Sequence, residues 1–225
     1  MALKAISPWQ RIFSYFKPIQ LTTLRSDFTP VLEVVLADGR CMLNSPDATY
    51  SFEDKYTSYR TAIHQIRNRL KNYNHILVLG LGLGSVPYML QTKFAFKGKI
   101  TCVEIDPVIV SLAKHYYPNK QLLQKLDLFT DDAVHFMEHN KLQFDAIFCD
   151  LFIDKRVPAA LHEFDFLHHV KSALAPGGTL LFSRLASERQ AELTLWENLK
   201  QVFPDAEDID TGGNYILNYQ APITT

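Results

Sequence analysis

The chain has little cysteine, no long apolar run and almost no net charge, and each shortage removes a class of protein. Three cysteines, Cys41, Cys102 and Cys149, are spread through 225 residues. They follow no metal-ligand spacing, so no metal site is expected, and Cys102 and Cys149 fall in apolar segments that suit small core residues. No apolar stretch approaches the ~18 residues of a spanning helix, so no membrane partner is expected. The formal net charge is −1 and no long basic run occurs, so a nucleic-acid surface is not suggested. Residues 1–17 lack the continuous apolar core of a signal peptide, and a cytoplasmic protein is the expectation. There is no internal repeat, low-complexity stretch or flexible linker. What remains is ordinary for a globular chain, with 47% hydrophobic and 21% charged residues. The length suits one α/β domain plus a small extension.

The most informative stretch is Ile76-Leu77-Val78-Leu79-Gly80-Leu81-Gly82-Leu83-Gly84-Ser85. A short apolar run without alternation suits a strand buried on both faces of a parallel sheet. Glycines at alternate positions permit a sharp turn and close approach of a ligand to the backbone. The helix that follows points free N–H groups at that ligand. Glu104 lies twenty residues after Gly84, at the end of a second apolar strand, Lys99–Glu104. A carboxylate there can accept hydrogen bonds from two ribose hydroxyls. The pattern predicts a nucleoside-containing ligand.

Residues 8–17 predict a short amphipathic helix with Trp9, Ile12, Phe13 and Phe16 on one side, a cap on the following sheet or a partner contact. Strands are expected over 19–25, 31–37 and 40–43, the last two joined at Asp38-Gly39. Phe52, Tyr56, Tyr59, Ile63, Ile66 and Leu70 recur at helical spacing and predict one long helix over 52–70, its tyrosines suited to core or pocket. From Ile76 onward strand and helix alternate through five strands. Pro176-Gly177-Gly178 predicts a turn before the fifth, Thr179–Ser183. Gly212-Gly213-Asn214 then marks a closing hairpin. Alternation of this kind means a doubly wound parallel sheet with right-handed crossovers. Three parts are expected: a small antiparallel β unit (1–51), a connecting helix (52–74) and a Rossmann-like domain (75–225).

These motifs together resemble the seven-stranded, class I S-adenosylmethionine-dependent methyltransferase fold with its C-terminal antiparallel hairpin. The resemblance is carried by the glycine motif, Val103-Glu104-Ile105-Asp106, Asp131-Asp132-Ala133, Asp150-Leu151-Phe152 and Pro176-Gly177-Gly178. Within that fold the chain is most similar to the spermidine synthase (polyamine aminopropyltransferase) family. Asp38-Gly39-Arg40, the Tyr- and acid-rich segment from Phe52 to Tyr59, and Glu104-Ile105-Asp106-Pro107 carry the likeness. It departs from the family at Asp150-Leu-Phe-Ile-Asp154, where the second aspartate falls one residue late, and at Tyr59, where the family's Tyr-x-Glu is missing because Arg60 and Thr61 follow.

The resemblance implies an enzyme that transfers an aminopropyl group from decarboxylated S-adenosylmethionine to a di- or polyamine, with no metal. It implies that Gly80, Gly82 and Gly84 pass the cofactor, that Glu104 holds its ribose, and that Asp132 (or Asp131) and Ala133 hold adenine. Asp150 would be the catalytic base, with Asp154 and Tyr59 at the amine. A homodimer is implied as well. Asp131 and Asp132 equally suit helix N-terminal acids, and Asp150 a strand-end cap. His162, His168 and His169 lack one-face spacing for a metal and are expected to be surface or satisfied residues. Ser183 and Arg184 end the fifth strand at the ligand edge, without the spacing of a nucleophile elbow. Two other functions stay open: a methyltransferase using intact S-adenosylmethionine on a small molecule, and a non-catalytic nucleoside-binding or assembly module.

Overall fold

The computed structural model describes residues 3, 5–152, 157–185, 190–212 and 214–223. A first helix, α1 (Pro8–Phe13), precedes a four-stranded antiparallel sheet of β1 (Ile19–Leu24), β2 (Leu32–Ala37), β3 (Arg40–Asn44) and β4 (Thr49–Ser51). Helix α2 (Thr57–Gln65) leads into β5 (His75–Leu79), α3 (Ser85–Thr92), β6 (Lys99–Glu104), α4 (Pro107–Tyr116), α5 (Lys120–Leu123), β7 (Leu126–Thr130) and α6 (Ala133–His139). The chain continues through β8 (Phe144–Cys149), α7 (Phe164–Ser172), β9 (Leu174–Leu185), α8 (Gln190–Val202), β10 (Glu207–Asp210) and β11 (Asn214–Gln220). The second sheet has the order β10-β11-β9-β8-β5-β6-β7, with β11 antiparallel to both of its neighbours.

Apolar residues alternate between the two faces of that sheet, as a strand period of two requires. Ile76, Val78, Cys102, Ala146, Phe148 and Leu181 face α2 and α3, against Tyr59, Ile63, Ile66 and Met89. Leu77, Leu79, Ile147, Cys149, Leu180 and Phe182 face α7 and α8, against Phe166, Val170, Leu195 and Leu199. All three cysteines are buried free thiols. The small sheet turns Leu32, Val34, Leu36, Cys41 and Leu43 onto Ile109, Leu112 and Tyr116 of α4.

Tertiary contacts change the chain in four places from its sequence reading. The expected long helix is broken: a 3-10 turn at Glu53–Lys55 precedes α2, and a second at Leu70–Asn72 follows it. Glu53 takes a left-handed φ of 43° and turns its buried carboxylate back to accept the Cys41 N–H at 2.7 Å. Asp54 pairs with Arg40 and Lys93, and these long-range bonds outweigh local helix propensity. A fourth strand, β4, pairs with β3. Pro176-Gly177-Gly178 lies inside β9 as an irregularity, since Phe144 pairs with Leu174 and Ala146 with Thr179. Finally, α1 does not cap the sheet with its apolar side. Trp9, Phe13 and Phe16 stay exposed, and the segment is tied down by Arg11 donating to the Gly39 carbonyl and Ser14 accepting the Gly39 N–H.

One buried bond joins α2 to the centre of the sheet. The Tyr59 hydroxyl donates to the Cys149 carbonyl at 2.6 Å, and the Leu181 carbonyl lies 3.4 Å away. It spans β8 and β9 at their carboxyl ends. Tyr59→Phe is expected to lower stability by about 1 kcal/mol, the usual net worth of a buried hydrogen bond. Urea denaturation measures this, and an unchanged midpoint would show that the bond contributes nothing.

Candidate active site

In an open α/β sheet, ligands bind beyond the carboxyl ends of the strands, and β5, β6, β8 and β9 bring the candidate residues there. The glycine loop follows β5, and Gly80, Gly82 and Gly84 all take positive φ, at 89°, 54° and 89°. Each also has a neighbour inside the protein. A Cβ on Gly80 would stand 2.2 Å from the Asp150 carbonyl, and one on Gly84 would stand 2.4 Å from the Tyr117 ring. The loop is held from the small sheet too: Ser51 Oγ accepts the Leu83 N–H at 2.9 Å, and Ser85 Oγ accepts the Phe52 N–H at 2.9 Å. Ser51 and Ser85 escaped sequence reasoning because each acts on a segment more than thirty residues away.

Glu104 is nearly buried at the end of β6. Its Oε2 accepts N–H bonds from Leu81 at 3.0 Å and Gly82 at 3.3 Å, and its Oε1 accepts the Asp106 N–H at 3.1 Å. Burial pushes its pKa up, and the three N–H donors work in the other direction. An ionised carboxylate has about four acceptor positions, so Oε1 keeps capacity for a hydroxyl. Asp106 caps α4 through Val108 N–H and takes the Ser26 hydroxyl on its other oxygen.

Asp132 caps α6, its Oδ1 accepting the N–H groups of Val134 at 2.7 Å and His135 at 3.3 Å. Asp131 holds His135 at 3.0 Å and raises its pKa. Both aspartates thus fill the N-terminal roles that suit acids on any helix. Ala133 is the first residue of α6.

Asp150 follows β8, on the sheet face that carries Tyr59. Burial pushes its pKa up to about 7, the neighbouring hydroxyls of Tyr56 and Ser183 oppose the rise, and the Glu104 charge adds to it. Asp150 Oδ1 and Ser183 Oγ are nevertheless both buried without a hydrogen-bond partner among the described residues. Tyr59 is fully buried with its hydroxyl bound to the main chain. It supports the site from beneath, and Tyr56 is the tyrosine beside the Asp150 carboxyl. Asp154 lies outside the described residues. Arg184 points away, stacked between Trp196 at 4.0 Å and Tyr215 at 4.7 Å and paired with Asp208 at 2.5 Å. His162, expected to be exposed or satisfied, is buried with Nε2 unpartnered among the described residues. Those residues contain no cluster suited to a metal ion and no helix long and apolar enough to cross a membrane.

A glycine loop pinned to a strand-end carboxylate, on a sheet with a single antiparallel strand, defines a methyltransferase-like, Rossmann-type fold. The family model for the spermine/spermidine synthase domain matches residues 56–209, and the chain belongs to that family. A polyamine aminopropyltransferase of Sulfolobus acidocaldarius is 23% identical over 87% of this chain and 66% of its own. An eEF1A lysine and N-terminal methyltransferase homolog of Drosophila pseudoobscura pseudoobscura is 28% identical over 57% of this chain and 20% of its own. The chain thus spans between a fifth and two thirds of these relatives. A spermidine synthase solved with the transition-state analogue AdoDATO shares the fold, with a TM-score of 0.71 and 16% identity over 91% of this chain and 74% of that one.

The raised pKa of Asp150 has a consequence for stability. A carboxyl whose folded pKa exceeds its unfolded value binds more protons when folded, so stability falls as pH rises from about 4 to about 7. Asp150→Asn removes that penalty. It is expected to raise stability at pH 8 by on the order of 2 kcal/mol and to have little effect near pH 4. Denaturant titrations at the two pH values measure the difference, and equal effects at both would show that Asp150 carries no raised pKa.

Proposed function

We propose that the chain is an aminopropyltransferase. It takes decarboxylated S-adenosylmethionine as co-substrate and a primary amine as acceptor, with Asp150 as the base. The observation that carries this reading is the buried Oδ1 of Asp150, unpartnered among the described residues, next to the hydroxyls of Tyr56 and Ser183 and beside the glycine loop. The donor set suits the nucleoside. Glu104 would take the ribose, Asp132 the adenine amino group and Ala133 N–H the ring, with the loop of Gly80, Gly82 and Gly84 alongside the alkyl chain.

An alkyl ammonium has a pKa near ~10.4 and no free lone pair. Asp150 accepts its proton, and a base whose pKa is close to the working pH is the most effective kind. The neutral amine, held by Asp150 and its neighbouring hydroxyls, then forms the new C–N bond. The bound sulfonium supplies the alkyl carbon, whose bond to sulfur breaks and leaves the electron pair on a neutral thioether. Such proton transfer contributes about 10²–10⁴-fold, and alignment of the attacking nitrogen contributes at least as much.

A second reading has its own support. The insect relative named as a methyltransferase shares 28% identity with this chain, and a methyltransferase would use intact S-adenosylmethionine in the same nucleoside pocket. Calorimetry with both cofactors separates the two. The aminopropyltransferase reading expects the decarboxylated form to bind more tightly, and tighter binding of the intact form would overturn it. Asp150→Asn is expected to keep nucleoside affinity and lower turnover about 10²–10⁴-fold. Near-normal release of methylthioadenosine by this variant would remove Asp150 from the base role.

A further inference from the structure

Cys149 of β8 and Phe182 of β9 are register partners in parallel strands. Asp150 and Ser183, one residue further on, therefore sit opposite each other on the same face, with the strands ~4.8 Å apart. Ser183 is 1% exposed. Its Oγ and the Asp150 Oδ1 are both buried and unpartnered among the described residues. The Ser183 hydroxyl can give its proton to Asp150, whose pKa it lowers. The Ser183 Oγ lone pairs and the Asp150 Oδ1 then remain as two buried acceptors, and one ligand group with two N–H donors satisfies both. Below them, Tyr59 donates to the carbonyl of Cys149 and fixes the two strand ends at one spacing.

We propose that Ser183 is a specificity-determining residue: Ser183 Oγ and Asp150 Oδ1 each accept one N–H of the attacking nitrogen, and this selects a primary amine. The inference rests on the aminopropyltransferase reading and deepens it. A neutral primary amine has two N–H groups and one lone pair. With both N–H groups held, the lone pair is left in one direction, toward the carbon under attack. A neutral secondary amine offers one N–H and an alcohol one O–H, so either leaves a buried acceptor unpaired. Rejection of substrates that leave buried polar groups unpaired is a strong form of discrimination. Ser183 does not react. It orients the nitrogen while Asp150 takes the proton.

The test is calorimetry of amine binding to the protein saturated with methylthioadenosine, which needs no turnover. Amines bind as ammonium ions near neutral pH, so 1,4-diaminobutane is compared with its N,N,N′,N′-tetramethyl derivative, whose nitrogens offer one N–H each. 1,4-Diaminobutane is expected to bind about ten-fold more tightly. Ser183→Ala should weaken the primary diamine by a similar factor, leave the methylated one unchanged and leave methylthioadenosine affinity intact. Equal binding of the two amines by the unsubstituted protein would overturn the role of Ser183. So would a gap that survives Ser183→Ala, or one that closes because the methylated amine binds better, which would mean steric exclusion. Methylthioadenosine binding without binding of either amine would instead overturn the amine-acceptor reading on which the inference rests.

Discussion

Three main-chain N–H groups converge on the carboxylate of Glu104, and much of the molecule is arranged around them. Those of Leu81 and Gly82 fix the glycine loop to the end of β6, and that of Asp106 fixes the start of α4. Asp106 then reaches Ser26 in the N-terminal unit, and Ser51 of the same unit holds Leu83 in the loop. The small sheet is therefore part of the frame that shapes the glycine-loop edge. It packs on the outer side of α4 and binds the glycine loop from above, so a change in either is felt at the other.

Two acidic residues end neighbouring parts of this edge, and burial raises the pKa of both. Glu104 is given N–H donors, which favour its charged form against the effect of burial. Asp150 has hydroxyls beside it but an Oδ1 with no hydrogen-bond partner among the described residues, and its pKa is carried to about 7. Glu104 Oε1 keeps acceptor capacity for a hydroxyl beside the Asp106 N–H. Asp150 is suited to gain and lose a proton near neutrality. The Glu104 charge also helps to raise Asp150, so the two halves of the site are linked electrostatically.

Much of this was legible in the sequence. Short apolar runs without alternation located the parallel strands, and the period-3.6 pattern most helices. Asp106-Pro107 marked the start of α4, and Gly212-Gly213-Asn214 marked the final hairpin. These features are local, and local chemistry determines them. What could not be read depends on distant partners. The helix break at Glu53 follows from a bond to Cys41, and a three-residue strand such as β4 carries too little pattern to be recognised. Tyr59 was placed at the acceptor from its motif, yet its hydroxyl is spent on Cys149. Tyr56, three residues earlier on the same stripe, places its hydroxyl against the Asp150 carboxyl, and Tyr59 lies close enough to feel the same charge. Ser183 was visible only as a polar residue closing an apolar strand. Its meaning comes from the pairing of β8 with β9, which no single segment encodes.

The central claim is that this edge directs an amine nitrogen onto an alkyl carbon of a decarboxylated cofactor. Mass spectrometry of 1,4-diaminobutane after incubation with the protein and each cofactor in turn tests it most directly. The account predicts addition of an aminopropyl group from decarboxylated S-adenosylmethionine and no modification by the intact form. Addition of a methyl group from the intact cofactor, with none of the aminopropyl product, would contradict it.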